Sequence, residues 1–402
     1  MYDLAAMGAW VEFAVRWLHV ITAIAWIGSS FYFIALDLGL HRDRNLKSGA
    51  DGEEWQVHGG GFYHIQKYLV APTGMPDGLI WHKWQSYWTW ISGFILLVLV
   101  YYLGAEFYLI DPNVMDLATW QAVGISLASL AFGWLVYTQL CNLFVNANQT
   151  TLMISLFAVL IAMAWFYTQV FTGRAALLHL GAFTATIMSG NVFLVIIPNQ
   201  KIVVADLMAG RAPDAKYGKI AKQRSTHNNY LTLPVIFLML SNHYPLAFAS
   251  EHNWIIASLV FLMGVTIRHW FNTHHARKGN PHWTWAATAL IFIAIVWLSV
   301  AANPQREAQV MTRFAQAEGF EQVHDIVLGR CSMCHAAEPV WSGLLWAPKG
   351  VALETPADLT RHARAVYLQA GISHAMPPAN LSYMEDDERA AIIAWYRAAS
   401  GS

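Results

Sequence analysis

Cys331-Ser332-Met333-Cys334-His335 is the segment of this 402-residue sequence whose chemistry is most directly legible. Two thiols three residues apart can both reach the vinyl groups on one edge of a haem, and the histidine that follows can ligate the iron. A zinc site would want a second ligand pair, and the remaining cysteine, Cys141, lies far upstream. The opposite iron ligand is expected at Met376, which opens Met376-Pro377-Pro378-Ala379-Asn380. Consecutive prolines hold an extended loop that can present the sulfur to the haem face. Met333 is trapped between the thiols and Met384 sits at a helix start. Met/His ligation raises the potential and closes the iron to other ligands, which is the chemistry of electron transfer. Substrate chemistry must then lie elsewhere.

Ionisable groups inside apolar segments are the other candidates, because they are costly in a bilayer and usually face a bundle interior. His19 lies in the first such segment and His82 opens the second; His179 lies in the fifth and His227 opens the sixth. This pattern suggests a four-helix unit used twice, a 4+4 repeat. The pairs Leu18-His19 and Leu178-His179, Ala25 and Ala185, Ile27 and Ile187, and Phe33 and Phe193 share one offset. Arg268, with His269, Asn272, His274 and His275, forms a polar cluster that could balance an anion, or a solvated helix end. His19, His82, His179, His227 and Arg268 are therefore the candidate catalytic residues, with interhelical hydrogen bonding as the competing role for each histidine. Gly59-Gly60-Gly61 lacks the flanking strand and helix of a phosphate loop and reads as a loop hinge.

The elements that position these groups are membrane helices. The chain is 56% apolar and 12% charged, too apolar for a soluble protein. Its net charge of -1 gives no sign of a nucleic-acid partner. Windows of about 20 apolar residues fall near 10–36, 84–104, 119–140, 150–168, 177–197, 230–248, 254–271 and 283–301. The expected fold is all-α, a bundle of about eight spans over residues 1–303 followed by a small c-type cytochrome domain over 304–402. Helices over 320–328 and 384–398 should pack across each other in that domain. Pro234 in the sixth window, which ends at Asn242 and His243, makes that span the least regular.

Positive loops are retained in the cytoplasm. One set of loops carries Arg42, Arg44, Lys47, Lys67 and Lys83 in 41–83 and Lys201, Arg211, Lys216, Lys219, Lys222 and Arg224 in 198–229. Arg268, Arg277 and Lys278 in 268–282 bring that set to fourteen. The opposite set has Arg174 and the acids Glu106, Asp111, Asp116 and Glu251. Both termini should face the periplasm of a bacterial inner membrane, the side on which c-type haem is attached. Glu12 and Arg16 sit inside the first apolar run, which reads as a retained anchor and not a cleaved signal.

Taken together the chain resembles the bacterial membrane-bound urate oxidases, or urate hydroxylases, in which a multi-helix domain is fused to a C-terminal cytochrome c. The resemblance rests on Trp17-Leu18-His19-Val20 through Trp26-Ile27-Gly28, His82-Lys83-Trp84-Gln85, Gly190-Asn191-Val192, Ile197-Pro198-Asn199-Gln200 and the Cys331–His335 motif. It implies an oxidoreductase that converts urate to 5-hydroxyisourate, its small-molecule partner being urate or a similar small purine. Electrons would leave through its haem c to a respiratory acceptor. The first helix is also similar to that of HemJ-type protoporphyrinogen oxidases, which implies that His19 could hold a non-covalent haem b. The rival readings are a respiratory subunit passing electrons from quinol to cytochrome, and a transporter with a regulatory cytochrome.

Overall fold

The computed structural model describes residues 4–43, 45–68, 78–144, 148–300 and 304–400. Arg44 of the charge count and Asn303 at the expected domain boundary lie outside them. The chain divides into two compact units, Met1–Val300 and Ala301–Ser402.

In the first unit the helices are α1 (Leu4–Gly39), α2 (Trp84–Leu96), α3 (Thr119–Leu143), α4 (Gln149–Val170) and α5 (Gly173–Gly190). They continue with α6 (Ile197–Met208), α7 (Ala215–Leu240), α8 (Asn253–His275) and α9 (Trp283–Val300). Side-chain caps start several of them: Asn148 accepts from the Thr150 amide at α4, Thr172 from Ala175 at α5 and Asp214 from Lys216 at α7. Each satisfies an amide the helix itself cannot. Among the described residues six helical stretches are long and apolar enough to cross a membrane: 7–39, 119–143, 149–170, 173–208, 253–275 and 283–300. The two other expected windows coincide with α2 and with the second half of α7, whose first half carries Lys216, Lys219, Lys222 and Arg224.

Two helices change pitch midway. α2 runs into a π-helical segment, Leu97–Tyr102, and α5 passes through another, Asn191–Ile196, into α6. One extra residue per turn rotates the following side chains, and such segments recur at functional sites. Both lead polar groups into the interior here: Tyr101 and Tyr102 from the first, Asn191 from the second. Pro234 inside α7 is accommodated because α8 presents Gly264, where a Cβ would lie 2.5 Å from the proline ring. The core lies where α3, α4, α5, α7 and α8 meet, around Tyr137, Tyr167, Phe171, Phe183, Ile187 and Leu238.

The expectation of an all-helical chain is corrected at one place. Strands β1 (Ala50–His58) and β2 (Gly61–Tyr68) form an antiparallel hairpin. Gly59 and Gly60, at φ +58° and +80°, make its two-residue turn. A right-twisted hairpin favours a turn with positive φ at both central residues, which glycine adopts freely. The glycine run is thus a hairpin turn and not a loop hinge. Tyr32 Oη donates to Gln56 Oε1 at 2.7 Å and Lys67 Nζ to Asp37 Oδ1 at 2.6 Å, so the hairpin lies along the end of α1.

The second unit holds α10 (Pro304–Ala315), α11 (Phe320–His335), α12 (Pro356–Arg361) and α13 (Asp386–Ser400), with a one-turn helix at Ala363–Val366 entering a π-helical turn, Tyr367–Ile372. Phe314, Val323, Val327, Leu359, Ile392 and Trp395 form its core. Trp395 Nε1 donates to the Phe314 carbonyl at 3.0 Å, which ties α13 to α10.

Candidate functional site

The sequence-selected groups of the first unit do not converge. His19 and His179 are held differently, His227 belongs to a third network, Arg268 to a fourth, and His82 is exposed in the turn before α2, its ring against Phe33.

His19 is braced by α2. Its Nδ1 lies 3.0 Å from the Thr89 carbonyl, which can only accept, so Nδ1 carries the proton. Ser92 Oγ is 3.2 Å from the same nitrogen. Gly93 makes this approach possible, since a Cβ there would lie 2.8 Å from His19 Cε1. Nε2 has no hydrogen-bond partner among the described residues, and the ring lines a cavity of about 270 Å³.

That cavity joins flat apolar surface to a few polar groups, as small-molecule sites do. Trp26, Trp90 and Phe94 supply the aromatic walls; Arg16, His19, Tyr101, Arg174, Asn242 and His243 supply the polar groups. Tyr101 Oη donates to Asn242 Oδ1 at 2.7 Å, and Arg174 Nε reaches the same oxygen at 3.3 Å. Arg16 is paired with Glu12 one turn away. Arg174 has no carboxylate partner among the described residues and lies over the Tyr108 ring at 5.3 Å. Ser189 Oγ also borders the cavity and is buried without a partner. The cavity therefore offers an uncompensated cation, an unused hydroxyl and an imidazole whose Nε2 is free to accept a hydrogen bond, suited to a flat anionic ligand.

His179 is fully buried with both nitrogens engaged, Nδ1 on the Ala175 carbonyl at 2.8 Å and Nε2 on Ser126 Oγ at 2.9 Å. Its bracing comes from α3 and its own helix, whereas that of His19 comes from α2, so the two histidines paired by the suggested repeat do not share partners. His227 Nδ1 bonds Tyr137 Oη at 2.8 Å. Asn191, rotated inward by its π-helical turn, donates to Tyr137 Oη at 3.1 Å and to Asn228 Oδ1 at 2.9 Å. Arg224 Nη1 donates to Asn191 Oδ1 at 3.2 Å. Arg268 lies between Asn229 and Asn272, with its guanidinium 4.2 Å from the Phe31 ring centre. Arg224 and Arg268, counted above as loop charges, are thus buried between helices.

Sequence reasoning missed Arg16, Arg174, Tyr101 and Asn242 as site residues. One signal was present: Arg16 stands three residues before His19, hence on the same helix face. Nothing in the sequence pointed to Tyr101 or Asn242, which depend on a π-helical segment and on the break that follows α7.

In the second unit, Cys331, Cys334 and His335 end α11 as free thiols and a half-buried imidazole. His335 Nδ1 donates to the Val351 carbonyl at 2.7 Å. This fixes the ring and would leave Nε2 to ligate an iron, as an outer carbonyl does for a metal-bound histidine. Met376 packs against the core containing Val323 and Ile392. Its amide donates to the Gln369 carbonyl at 2.9 Å, and its carbonyl accepts from Arg389 Nη1 at 2.9 Å. The residues present therefore fit a covalently attached haem. Among the described residues no group of three His, Cys, Asp or Glu side chains is placed to hold a metal ion.

No curated relative and no solved structure matches the chain. The model of the urate oxidase N-terminal family matches residues 5–299, the whole helical unit with its cavity, and the chain belongs to that family.

Proposed function

We propose that the protein is a membrane-bound urate oxidase that forms 5-hydroxyisourate and passes the electrons to a haem c on its own C-terminal unit, and from there to a respiratory acceptor. The cavity beside His19 carries this reading. Urate at neutral pH is a flat monoanion bearing several N–H and C=O groups. Arg174 supplies the matching charge, Ser189 and Asn242 supply hydrogen-bonding groups, and Trp26, Trp90 and Phe94 supply surfaces for its faces.

Urate monoanion and water give 5-hydroxyisourate, one proton and two electrons. His19, which lines the cavity, is placed to take that proton: the Thr89 carbonyl holds Nδ1–H, which leaves Nε2 as the unprotonated nitrogen. Arg174 holds the anion and is charged throughout the reaction. A haem held by Cys331, Cys334, His335 and Met376 would supply one-electron acceptance, so the electrons leave singly. Eight spans, with both termini and the C-terminal unit in the periplasm of a bacterial inner membrane, complete the proposal. The cavity then opens near the outward end, because it collects residues from the start of α5, the end of the α2 segment and the end of α7.

A second reading of His19 is favoured by the same carbonyl contact, which is also how a haem ligand is oriented. In that case a haem b bound there would be extracted by acid acetone, leaving the covalent haem behind. His179 could serve as a partner ligand only by giving up its Ser126 bond. The function is tested by adding urate anaerobically to the oxidised protein: reduction of the c-haem supports it, and an unchanged spectrum removes it. Quinol-driven reduction with no response to urate would favour the respiratory-subunit reading. Urate binding with no spectral change would favour the transporter.

A further inference from the structure

We propose that Arg268, Asn229 and Asn272 form a second binding site, for a small heterocyclic anion, at the end of the bundle remote from the cavity. None of Arg268, Asn229, Asn272 or Phe31 lines the cavity, and Phe31, against which the Arg268 guanidinium packs, lies five residues beyond Trp26, the last cavity-lining residue of α1, about 7.5 Å along the helix axis. The two sites are therefore separate.

Arg268 is 5% exposed and Asn229 fully buried. No carboxylate lies within ion-pair distance of Arg268 among the described residues. A buried charge is normally compensated, and here the partners are neutral. Arg268 Nε donates to Asn229 Oδ1 at 3.2 Å, Arg268 Nη2 to Asn272 Oδ1 at 2.9 Å, and Asn272 Nδ2 to Asn229 Oδ1 at 3.0 Å. Asn229 Oδ1 thus accepts twice, while Asn229 Nδ2 is buried with no partner. Turning the amide over would set its NH₂ against two donors, so the network fixes the orientation and the unpartnered donor is real.

The cluster therefore combines an uncompensated cation with a free N–H donor, beside the faces of Phe31 and Phe271. Beyond it, towards the end of α8, Glu54 Oε2 from β1 and His275 Nδ1 are also buried without partners. They lie on one side of Gly39, where a Cβ would meet Glu54 Oε2 at 3.1 Å and the His275 carbonyl at 3.8 Å. An acceptor on that side suits a ligand that bears ring N–H groups as well as negative charge. Urate belongs to this class, and in naming it as the probe the inference rests on the substrate reading above. By the charge distribution this end faces the cytoplasm, so the site would take its ligand from that side.

The test is equilibrium dialysis of radiolabelled urate against the full-length detergent-solubilised haem protein, kept reduced so that bound urate is not consumed. Wild type is expected to bind two equivalents, and Arg268→Gln and Arg174→Gln one each. Arg268→Lys should restore the second equivalent at lower affinity, which separates loss of charge from loss of fold. One equivalent in wild type, retained by Arg268→Gln and lost in Arg174→Gln, would overturn the second site and leave the cavity standing. One equivalent lost in Arg268→Gln and retained in Arg174→Gln would support the second site and sink the cavity reading. No binding by wild type overturns both.

Discussion

Gly93→Ala tests whether His19 works through its orientation. A Cβ at Gly93 would lie 2.8 Å from His19 Cε1 and 3.3 Å from Nδ1. Non-bonded carbons pack at ~3.5 Å or more, so the ring must retreat by about 0.7 Å. The Nδ1 to Thr89 distance, 3.0 Å in the native structure, would then pass the ~3.2 Å limit of a good hydrogen bond. Losing that bond costs about 0.5–1.5 kcal/mol. Misplacing a reacting group by about 1 Å can cost ~100-fold in rate. We predict a fall of roughly 10- to 100-fold in kcat/KM for anaerobic urate-driven haem reduction. Stability should fall by about 0.5–3.5 kcal/mol, because the ~1 kcal/mol that alanine gains over glycine within a helix offsets only part of the ~1–3 kcal/mol of overcrowding and the ~0.5–1.5 kcal/mol of the lost bond. In a His19→Gln background the same substitution should cost almost nothing further, since the coupling runs through one contact. Wild-type kcat/KM in Gly93→Ala, or an equal loss in both backgrounds, would refute the reasoning.

Arg174→Gln should raise the KM for urate by roughly 10- to 100-fold, the worth of a charge-assisted bond, with kcat changed far less; steady-state kinetics separates the two. Met376→His should lower the midpoint potential of the c-haem, because an imidazole replaces a thioether, and redox titration reads it directly. Stability of the C-terminal unit should depend on pH through Glu388. Burial pushes that carboxyl up, but Arg330, which it meets at 2.9 Å, and the Glu385 amide more than reverse this and hold it below its ordinary value of 4.5. A depressed carboxyl contributes its stability above the unfolded value and loses it as the pH falls through the folded one. The unit's melting temperature should therefore drop below about pH 4.5 in wild type and drop less in Glu388→Gln, as thermal melts followed at the haem band would report.

Much of the fold was legible because helices long and apolar enough to cross a membrane write themselves as long apolar runs. The candidate site was legible only at His19. Arg174 looked like a stray positive residue in a loop, yet it begins α5 and turns into the cavity. Tyr101 and Asn191 owe their inward positions to π-helical turns that periodicity does not register. Arg224 was counted as a loop charge, and Arg268 was counted as one as well as being a candidate site residue, because both stand near the ends of apolar windows. Tertiary packing buries them, and only neighbours distant in sequence, Asn191 for one and Phe31 for the other, show it. The hairpin was missed since its turn glycines were weighed as a phosphate loop or a loop hinge and not as a two-residue turn.

The central claim is that oxidation in the helical unit feeds the haem held at Cys331 and Cys334. An anaerobic titration of the oxidised protein with urate, followed at the c-haem absorption band, tests it most directly. Two electrons leave each urate and one haem c takes one, so half an equivalent of urate should reduce the haem fully, and Arg174→Gln should slow the reaction without changing that end point. A haem that stays oxidised while urate disappears, or that is reduced equally fast in Arg174→Gln, would contradict the account.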